Sequence, residues 1–166
     1  MEGLTRRNLA GLAVLGAAAA SSTGASAATA PDSLDALAKA KGFTGFGSSM
    51  GGGAEDFASS FNDAGVRAIQ QRECGILVCE NETKWVALRP NPKEYTFYLA
   101  DRMVDWAHEN NSLMRGHTLL WQKTQYFPKW LQNYDFGARP ASEAERLLRD
   151  HIATVCTHFG TRIFTY

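Results

Sequence analysis

The chain has 166 residues, with 17 basic and 17 acidic side chains, so its formal net charge is zero. This balance argues against a nucleic-acid-binding protein and against a polybasic membrane-surface protein, because both classes need a strongly positive face. Apolar side chains make up 45% of the residues and aromatic ones 11%, which is an ordinary globular composition.

The first 27 residues predict an export signal and not a part of the fold. Arg6 and Arg7 stand side by side, and the apolar run over residues 9–20 that follows is shorter than the roughly 20 residues that span a bilayer. The Ala-Ser-Ala sequence at residues 25–27 supplies a small-residue cleavage pattern. We therefore expect a twin-arginine signal peptide and an exported chain, periplasmic or secreted, with no membrane attachment after cleavage. A disordered, alanine-rich leader is the alternative.

Two cysteines lie close together in the sequence at the end of a predicted helix–strand unit. Cys74 and Cys79 are five residues apart, which is roughly 16 Å in extended chain. A disulfide needs Cα atoms within about 7 Å, so the two cannot pair with each other in a strand. Because no Cys/His spacing here matches a zinc site, we predict buried thiols and no metal centre.

Helical and extended patterns alternate along the rest of the chain. Asp32 or Ser33 is placed to cap the first helix, and Ser142 with Glu145 forms a capping-box pattern near the start of the last helix, which Gly160 ends. In chain order the predicted elements are a helix over residues 31–41, a strand over 43–50, helices over 54–63 and 66–72, a strand over 75–79, a helix over 95–109, a strand over 113–121, a helix over 142–159 and a strand over 161–166.

Strands that alternate with helices are typical of parallel βα units, and the apolar run at residues 75–79 is typical of a strand buried on both faces. A doubly wound sheet and a (β/α)₈ barrel both fit this order. The three glycines at residues 51–53 do not form a dinucleotide-binding G-x-G-x-x-G motif, so the barrel is favoured. A complete barrel takes about 250 residues. We therefore predict an α/β fold, a TIM (β/α)₈ barrel of which only the first three and a half βα units are present.

A polar segment directly follows the second predicted strand, where a barrel has its active site. It runs from Glu80 through Asn81 and Lys84 to Trp85. If the segment makes a helical turn, Glu80 and Lys84 share a face at a spacing of four residues. A carboxylate, an amide and an ammonium group together supply the acceptors and donors that a hydroxyl-rich sugar needs. A solvated surface turn with an ion pair explains the same composition equally well.

A second polar segment, residues 115–121, lies on the third predicted strand. Side chains alternate faces along a strand, which places Arg115, His117 and Trp121 on one face. Buried Arg and His side chains need partners, so a binding site or a satisfied polar network is expected nearby. Trp121 stands where it could stack on a sugar ring, although a tryptophan is more often a core residue. The opposite face carries Met114, Thr118 and Leu120.

Taken in order, these motifs resemble successive landmarks of the xylanases of glycoside hydrolase family 10. The resemblance covers residues 43–166 and implies that residues 28–166 are the N-terminal portion of a family 10 catalytic barrel. It rests on Cys-Glu-Asn-Glu-Thr-Lys-Trp at residues 79–85, Ala-Asp-Arg at 100–102, Arg-Gly-His-Thr-Leu-Leu-Trp at 115–121, Pro-Lys-Trp at 128–130, His-Ile at 151–152 and Gly-Thr-Arg-Ile at 160–163.

The resemblance also implies which residues bind substrate. Gln125 matches a family glutamine, although its spacing to Pro128 is longer here; Gln122 stands where many members have His, and Thr83 replaces a common Met. The implied substrate-binding residues are Glu80, Asn81 and Lys84 for the sugar two places from the cleavage point on the non-reducing side, His117 and Trp121 for the sugar whose bond is broken, and Gln125.

The family's mechanism is a double displacement by two glutamates whose carboxyl groups lie about 5 to 5.5 Å apart. By resemblance both glutamates lie beyond Tyr166, so the chain holds no catalytic residue, and neither Glu80 nor Glu82 fills either role. We expect a retaining endo-1,4-β-xylanase acting on xylan or xylo-oligosaccharides, with no cofactor and no protein partner implied, and an inactive chain on its own. The alternatives are a non-catalytic carbohydrate-binding remnant of the same fold and a glycosidase of another barrel family.

Overall fold

The computed structural model describes residues 30–53 and 59–166. The predicted export signal lies outside these residues. So does the first half of the helix predicted over residues 54–63, whose described half contains a 3₁₀ turn at Ser60–Asn62. Across the described ranges, no helix is long and apolar enough to cross a membrane.

Three parallel strands form one sheet. They are β1 (Gly47–Met50), β2 (Ile76–Cys79) and β3 (Leu113–Arg115), in the spatial order β1-β2-β3. In this register Met50 is paired with Cys79, and Leu77 is paired with Met114. Because the strands are parallel, their carboxyl ends meet at one edge of the sheet, as the predicted βα order requires.

Six helices flank or connect the strands within the described residues. Their starts follow local capping chemistry: the Ser33 hydroxyl accepts a hydrogen bond from the Ala36 amide, and Asp63 accepts from the amides of Gly65 and Val66. The helices are α1 (Leu34–Ala40), α2 (Ala64–Glu73), α3 (Trp85–Leu88), α4 (Tyr98–Glu109), α5 (Lys129–Gln132) and α6 (Pro140–Phe159).

The capping box predicted from Ser142 and Glu145 is wrong. Helix α6 begins at Pro140, so Ser142 lies inside the first helical turn, and the N-cap is Arg139 with no side-chain cap. Proline suits the first helical position because its fixed φ is already helical and it lacks the N–H that would go unpaired there. The predicted end of the helix is confirmed at Gly160, which has a positive φ of 53°.

The first strand is shorter than predicted, beginning at Gly47 and not at residue 43. The preceding chain is held by α1: the wholly buried Asp35 accepts a hydrogen bond from the Phe46 amide at 2.9 Å and pairs with Lys39 at 2.7 Å. The Phe46 amide is therefore bonded to a side-chain carboxylate and not to another strand.

The second strand is buried on one face only. Leu77 and Cys79 are wholly buried against the helices, whereas Ile76 and Val78 are half-buried on the other face. The prediction of burial on both faces is therefore wrong for this sheet. The Cys79 thiol lies 3.5 Å from the Met103 sulfur, and burial raises its pKa well above the usual range. The chain's three cysteines are all free thiols.

The third strand ends at Arg115, well before the predicted end at Trp121. As expected, Met114 faces the helices and Arg115 the opposite side, but the alternation stops there. The predicted fourth strand is reduced to a single parallel bridge between Arg115 and Thr165, preceded by a 3₁₀ turn at Gly160–Arg162.

Two groups of apolar side chains hold these elements together. The first, the sheet cluster, lies between the sheet and helices α4 and α6 and consists of Met50, Phe61, Leu77, Cys79, Leu88, Ala100, Met103, Val104, Ala107, Met114, Val155, Phe159 and Ile163. The second, the loop cluster, consists of Trp85, Leu131 and Leu147, with Phe127, Trp130, Tyr134, Phe136 and Leu148 packed against them.

Candidate functional site

The candidate site lies at the carboxyl edge of the sheet. Residues 51–53 follow β1, residues 80–84 follow β2 and residues 116–121 follow β3. The Glu80 amide still donates a hydrogen bond to the Met50 carbonyl at 3.0 Å, so the first residue beyond β2 remains tied to β1. The two polar segments identified in the sequence therefore start from adjacent strand ends.

Glu82 fastens the ends of the first two strands to each other. One carboxylate oxygen accepts from the Gly52 amide at 2.6 Å and the other from the Asn81 amide at 3.1 Å, with Glu82 only 2% exposed. A Cβ at Gly52 would lie 2.8 Å from the Met103 sulfur, so only glycine permits this approach. Both carboxylate oxygens are thus engaged by backbone amides.

The polar segment after β2 forms a turn and not a helix, so the predicted pairing of Glu80 with Lys84 does not occur. The Lys84 ammonium instead donates to the Asn81 side-chain oxygen at 3.0 Å, and the Lys84 amide donates to the Asn81 carbonyl. Glu80 is exposed and makes no ion pair within the described part of the chain. Asn81 and Lys84 are therefore brought together, with Glu80 at the solvent side of the edge.

Thr83 joins the two polar segments. Its hydroxyl donates to the His117 carbonyl at 2.8 Å and accepts from the His117 amide at 3.0 Å, and Thr83 is wholly buried. The peptide bond between His117 and Thr118 is cis. Thr83, which stands where the family commonly has Met, therefore ties the segment after β2 to the segment after β3.

His117 stands beside two positive charges. Burial lowers the pKa of its imidazole, and the nearby Lys84 and Arg115 cations lower it further. At neutral pH the ring is therefore neutral and presents one donor and one acceptor nitrogen.

Trp121 lies in irregular chain and not on a strand. Its indole ring is 4.8 Å from the Lys84 ammonium and 5.6 Å from that of Lys123, distances typical of cation–π contacts. The Tyr126 ring stacks on it with the centroids 4.3 Å apart and the planes 8° from parallel. Lys84 thus connects the segment after β2 to the segment after β3.

Most of the predicted site residues line one cavity of about 300 Å³. Its lining combines amide, ammonium and phenol groups with aromatic surface, the mixture found in small-molecule sites that orient a polar ligand. Val86, Tyr126 and Phe127 were not among the predicted site residues. Tyr126 and Phe127 reach the segment after β2 only through the folded loop, and nothing in the sequence distinguishes Val86 from other apolar residues. The lining residues are Asn81, Lys84, Val86, Trp121, Gln125, Tyr126 and Phe127.

Four of the six predicted substrate-binding residues, Asn81, Lys84, Trp121 and Gln125, therefore share one cavity, while Glu80 and His117 lie outside its lining. No group of three side chains suited to hold a metal ion occurs among residues 30–53 and 59–166.

Comparison with known proteins gives the same family. The model of glycosyl hydrolase family 10 matches residues 33–166. Endo-1,4-beta-xylanase B of Thermotoga neapolitana is 33% identical over 95 residues, which are 57% of this chain and 26% of that protein. The chain thus spans well under two thirds of the length of its curated relatives.

Solved structures show the same likeness. Xylanase 10B from Thermotoga petrophila RKU-1, in complex with xylobiose, is 30% identical with a TM-score of 0.62, covering 79% of this chain and 37% of that one. Xylanase10C from Cellvibrio japonicus, in complex with xylopentaose, is 27% identical with a TM-score of 0.66, covering 82% and 26%. These neighbours imply a TIM barrel, and the three parallel strands match part of it. The chain belongs to glycosyl hydrolase family 10.

Proposed function

We propose that this chain is the xylan-binding N-terminal portion of a retaining endo-1,4-β-xylanase. The observation that carries the proposal is the convergence of Asn81, Lys84, Trp121 and Gln125 on one cavity at the carboxyl edge of a parallel sheet. That edge is where barrel enzymes place their active sites. The relatives named above are xylanases, and two of the solved neighbours are complexes with xylobiose and xylopentaose.

The polar groups of the cavity suit sugar hydroxyls. An ammonium group has three N–H donors, of which Lys84 directs one to Asn81, leaving two for a ligand. The Asn81 amide nitrogen and the Gln125 amide add further donors, and the exposed Glu80 carboxylate adds acceptors at the rim. Holding Lys84 and Asn81 against each other before the ligand arrives reduces the ordering cost of binding.

Hydrolysis with retention needs two carboxyl groups about 5 to 5.5 Å apart. Within the described residues, Glu82 is fully engaged by backbone amides and Glu80 stands alone at the site edge. We propose that the acid/base and the nucleophile are glutamates of later barrel strands, beyond Tyr166, and that residues 28–166 alone do not hydrolyse xylan. The same observation favours the second candidate, a carbohydrate-binding chain without catalysis.

Saccharide binding by the chain tests the proposal directly. Titration with xylopentaose and with cellopentaose should show tighter binding of the pentose chain; equal or stronger binding of cellopentaose would indicate a glycosidase for another sugar. Lys84→Ala should weaken xylopentaose binding by roughly 10- to 100-fold, because hydrogen bonds to a charged group contribute about 1.5–3 kcal/mol. Lys129→Ala removes an exposed lysine outside the cavity and serves as the matched control.

A hydrolysis assay separates the two candidates. Purified residues 28–166 should release no reducing sugar from xylan, whereas a protein that continues into the later barrel strands should release it. Release by residues 28–166 alone would contradict the placement of both catalytic glutamates. A continued protein that binds xylopentaose without cleaving xylan would instead support the non-catalytic candidate.

A further inference from the structure

The most exposed aromatic side chain in the cavity is not the predicted one. Tyr126 is 44% exposed and lines the cavity together with Asn81 and Lys84. One face of its phenol ring lies on the indole of Trp121, at a centroid distance of 4.3 Å. The opposite face of the phenol ring points away from Trp121, and the exposure of the side chain lets a ligand reach it.

Trp121, by contrast, has little free ring surface to offer a ligand. The Tyr126 ring covers one face of the indole almost in parallel. The ammonium groups of Lys84 and Lys123 lie 4.8 and 5.6 Å from the ring centroid. A pyranose that stacked on the indole would have to displace the phenol or one of these cations.

We propose that Tyr126 is the platform on which a pyranose ring of the saccharide stacks, and that Trp121 is a positioning residue beneath it. This inference rests on the proposed function and names a specificity-determining residue for it. A xylopyranose ring has no exocyclic hydroxymethyl group, so its C–H face can lie flat on an aromatic ring. Its equatorial hydroxyls then point sideways, towards the amide and ammonium groups of Asn81 and Lys84.

The platform is fixed before any ligand arrives. Residues 124–126 form a 3₁₀ turn, in which the Tyr126 amide donates to the Lys123 carbonyl at 2.9 Å. The next residue, Phe127, packs against Trp85 with ring centroids 6.4 Å apart and belongs to the loop cluster. A phenol held at both its backbone and its inner face loses little conformational freedom on binding.

Substitutions at Tyr126 test this inference by xylopentaose titration of the full chain. Tyr126→Ala should weaken binding about tenfold, because stacking on an aromatic ring contributes about 0.5–1.5 kcal/mol. Tyr126→Leu keeps apolar bulk against Trp121 but removes the aromatic face, so it should weaken binding by a similar factor. Tyr126→Phe should bind within about twofold of the parent, because the ring and not the hydroxyl makes the contact.

Tyr98→Ala supplies the matched control, since Tyr98 is 68% exposed on α4 and does not line the cavity. Unchanged or tighter binding by Tyr126→Ala and Tyr126→Leu, with intact binding by the parent, would show that Tyr126 is not the platform and would overturn this inference alone. Failure of the unsubstituted chain to bind any xylo-oligosaccharide would overturn the proposed function and this inference together.

Discussion

The sheet cluster and the loop cluster differ in how completely they exclude solvent. In the sheet cluster, Leu77, Met103 and Val104 are wholly buried, and the packing joins regular strands to regular helices. The loop cluster has only three buried members, and of these Leu131 remains 7% exposed. Beside it lies a cavity of about 350 Å³ with a largely apolar lining that includes all three.

The two clusters support different parts of the site, a difference that we call the division of labour between them. The sheet cluster fixes the strand ends from which Asn81 and Lys84 project, whereas the loop cluster fixes the turn that carries Gln125 and Tyr126. The site cavity lined by Asn81, Lys84, Gln125 and Tyr126 therefore depends on both clusters staying packed. Because loose packing lowers the cost of local opening, we expect the loop side to move before the sheet side does.

The largest loss of stability is expected from a truncation within the sheet cluster. Met103→Ala removes a wholly buried side chain that contacts Cys79 and lies against Gly52. Such truncations cost about 2–5 kcal/mol. Urea unfolding followed by circular dichroism should therefore show a large shift to lower urea, with Leu37→Ala, an exposed helical site, as the control. A shift no larger than that of the control would show that the sheet cluster does not hold the fold.

A buried histidine that packs against the loop cluster should make stability depend on pH. His151 is wholly buried on α6, with its ring 4.2 Å from that of Trp85 and nearly parallel to it. Burial, and then the Arg89 cation, lower the pKa of His151 to about 4, while Asp150 and the Leu119 backbone act in the opposite direction.

The direction of the pH dependence follows from which state, folded or unfolded, binds a proton at His151. Between pH 6.5 and about pH 4 the unfolded chain protonates this histidine and the folded chain does not. The free energy of unfolding is thus unaffected by His151 above pH 6.5, and it falls as pH drops through that window by about 3 kcal/mol. His151→Phe keeps the aromatic stack and should flatten this part of the profile. An unchanged slope in the variant would assign the pH dependence to other groups.

Much of the regular fold could be predicted from local sequence. The four longest helices were located from apolar spacing and end signals, since Ser33 and Gly160 act where they stand. The third strand was overextended because Arg115, His117 and Trp121 alternate with apolar residues as a strand would. Beyond Arg115 the Gly116 amide bonds to the Thr165 carbonyl of the last segment, and both His117 backbone groups bond to the Thr83 hydroxyl, so neither residue pairs with β2.

The parts of the site that were missed depend on partners far away in sequence. Glu82 accepts from Gly52, 30 residues earlier, and Thr83 binds His117, 34 residues later. No local pattern distinguishes Glu82, which is buried, from Glu80, which is exposed. Tyr126 likewise looks like an ordinary loop tyrosine until the fold stacks it on Trp121. Local chemistry therefore identified the strand-end residues, whereas contacts across the fold decided their roles.

The smallest effect on stability, and the sharpest test of the comparison, is expected from the loop cluster. Leu131→Ala enlarges a cavity that already exists, so little packing is lost and the cost should be near the low end for such changes, about 2 kcal/mol. The damage should stay local, because the loop cluster supports the turn at Thr124–Tyr126 and not the strands. Hydrogen exchange should speed up around residues 124–136 and remain slow in β2, while xylopentaose binding weakens. If exchange in β2 instead rose as far as it does in Met103→Ala, the two clusters would form one cooperative unit and the proposed division of labour would be wrong.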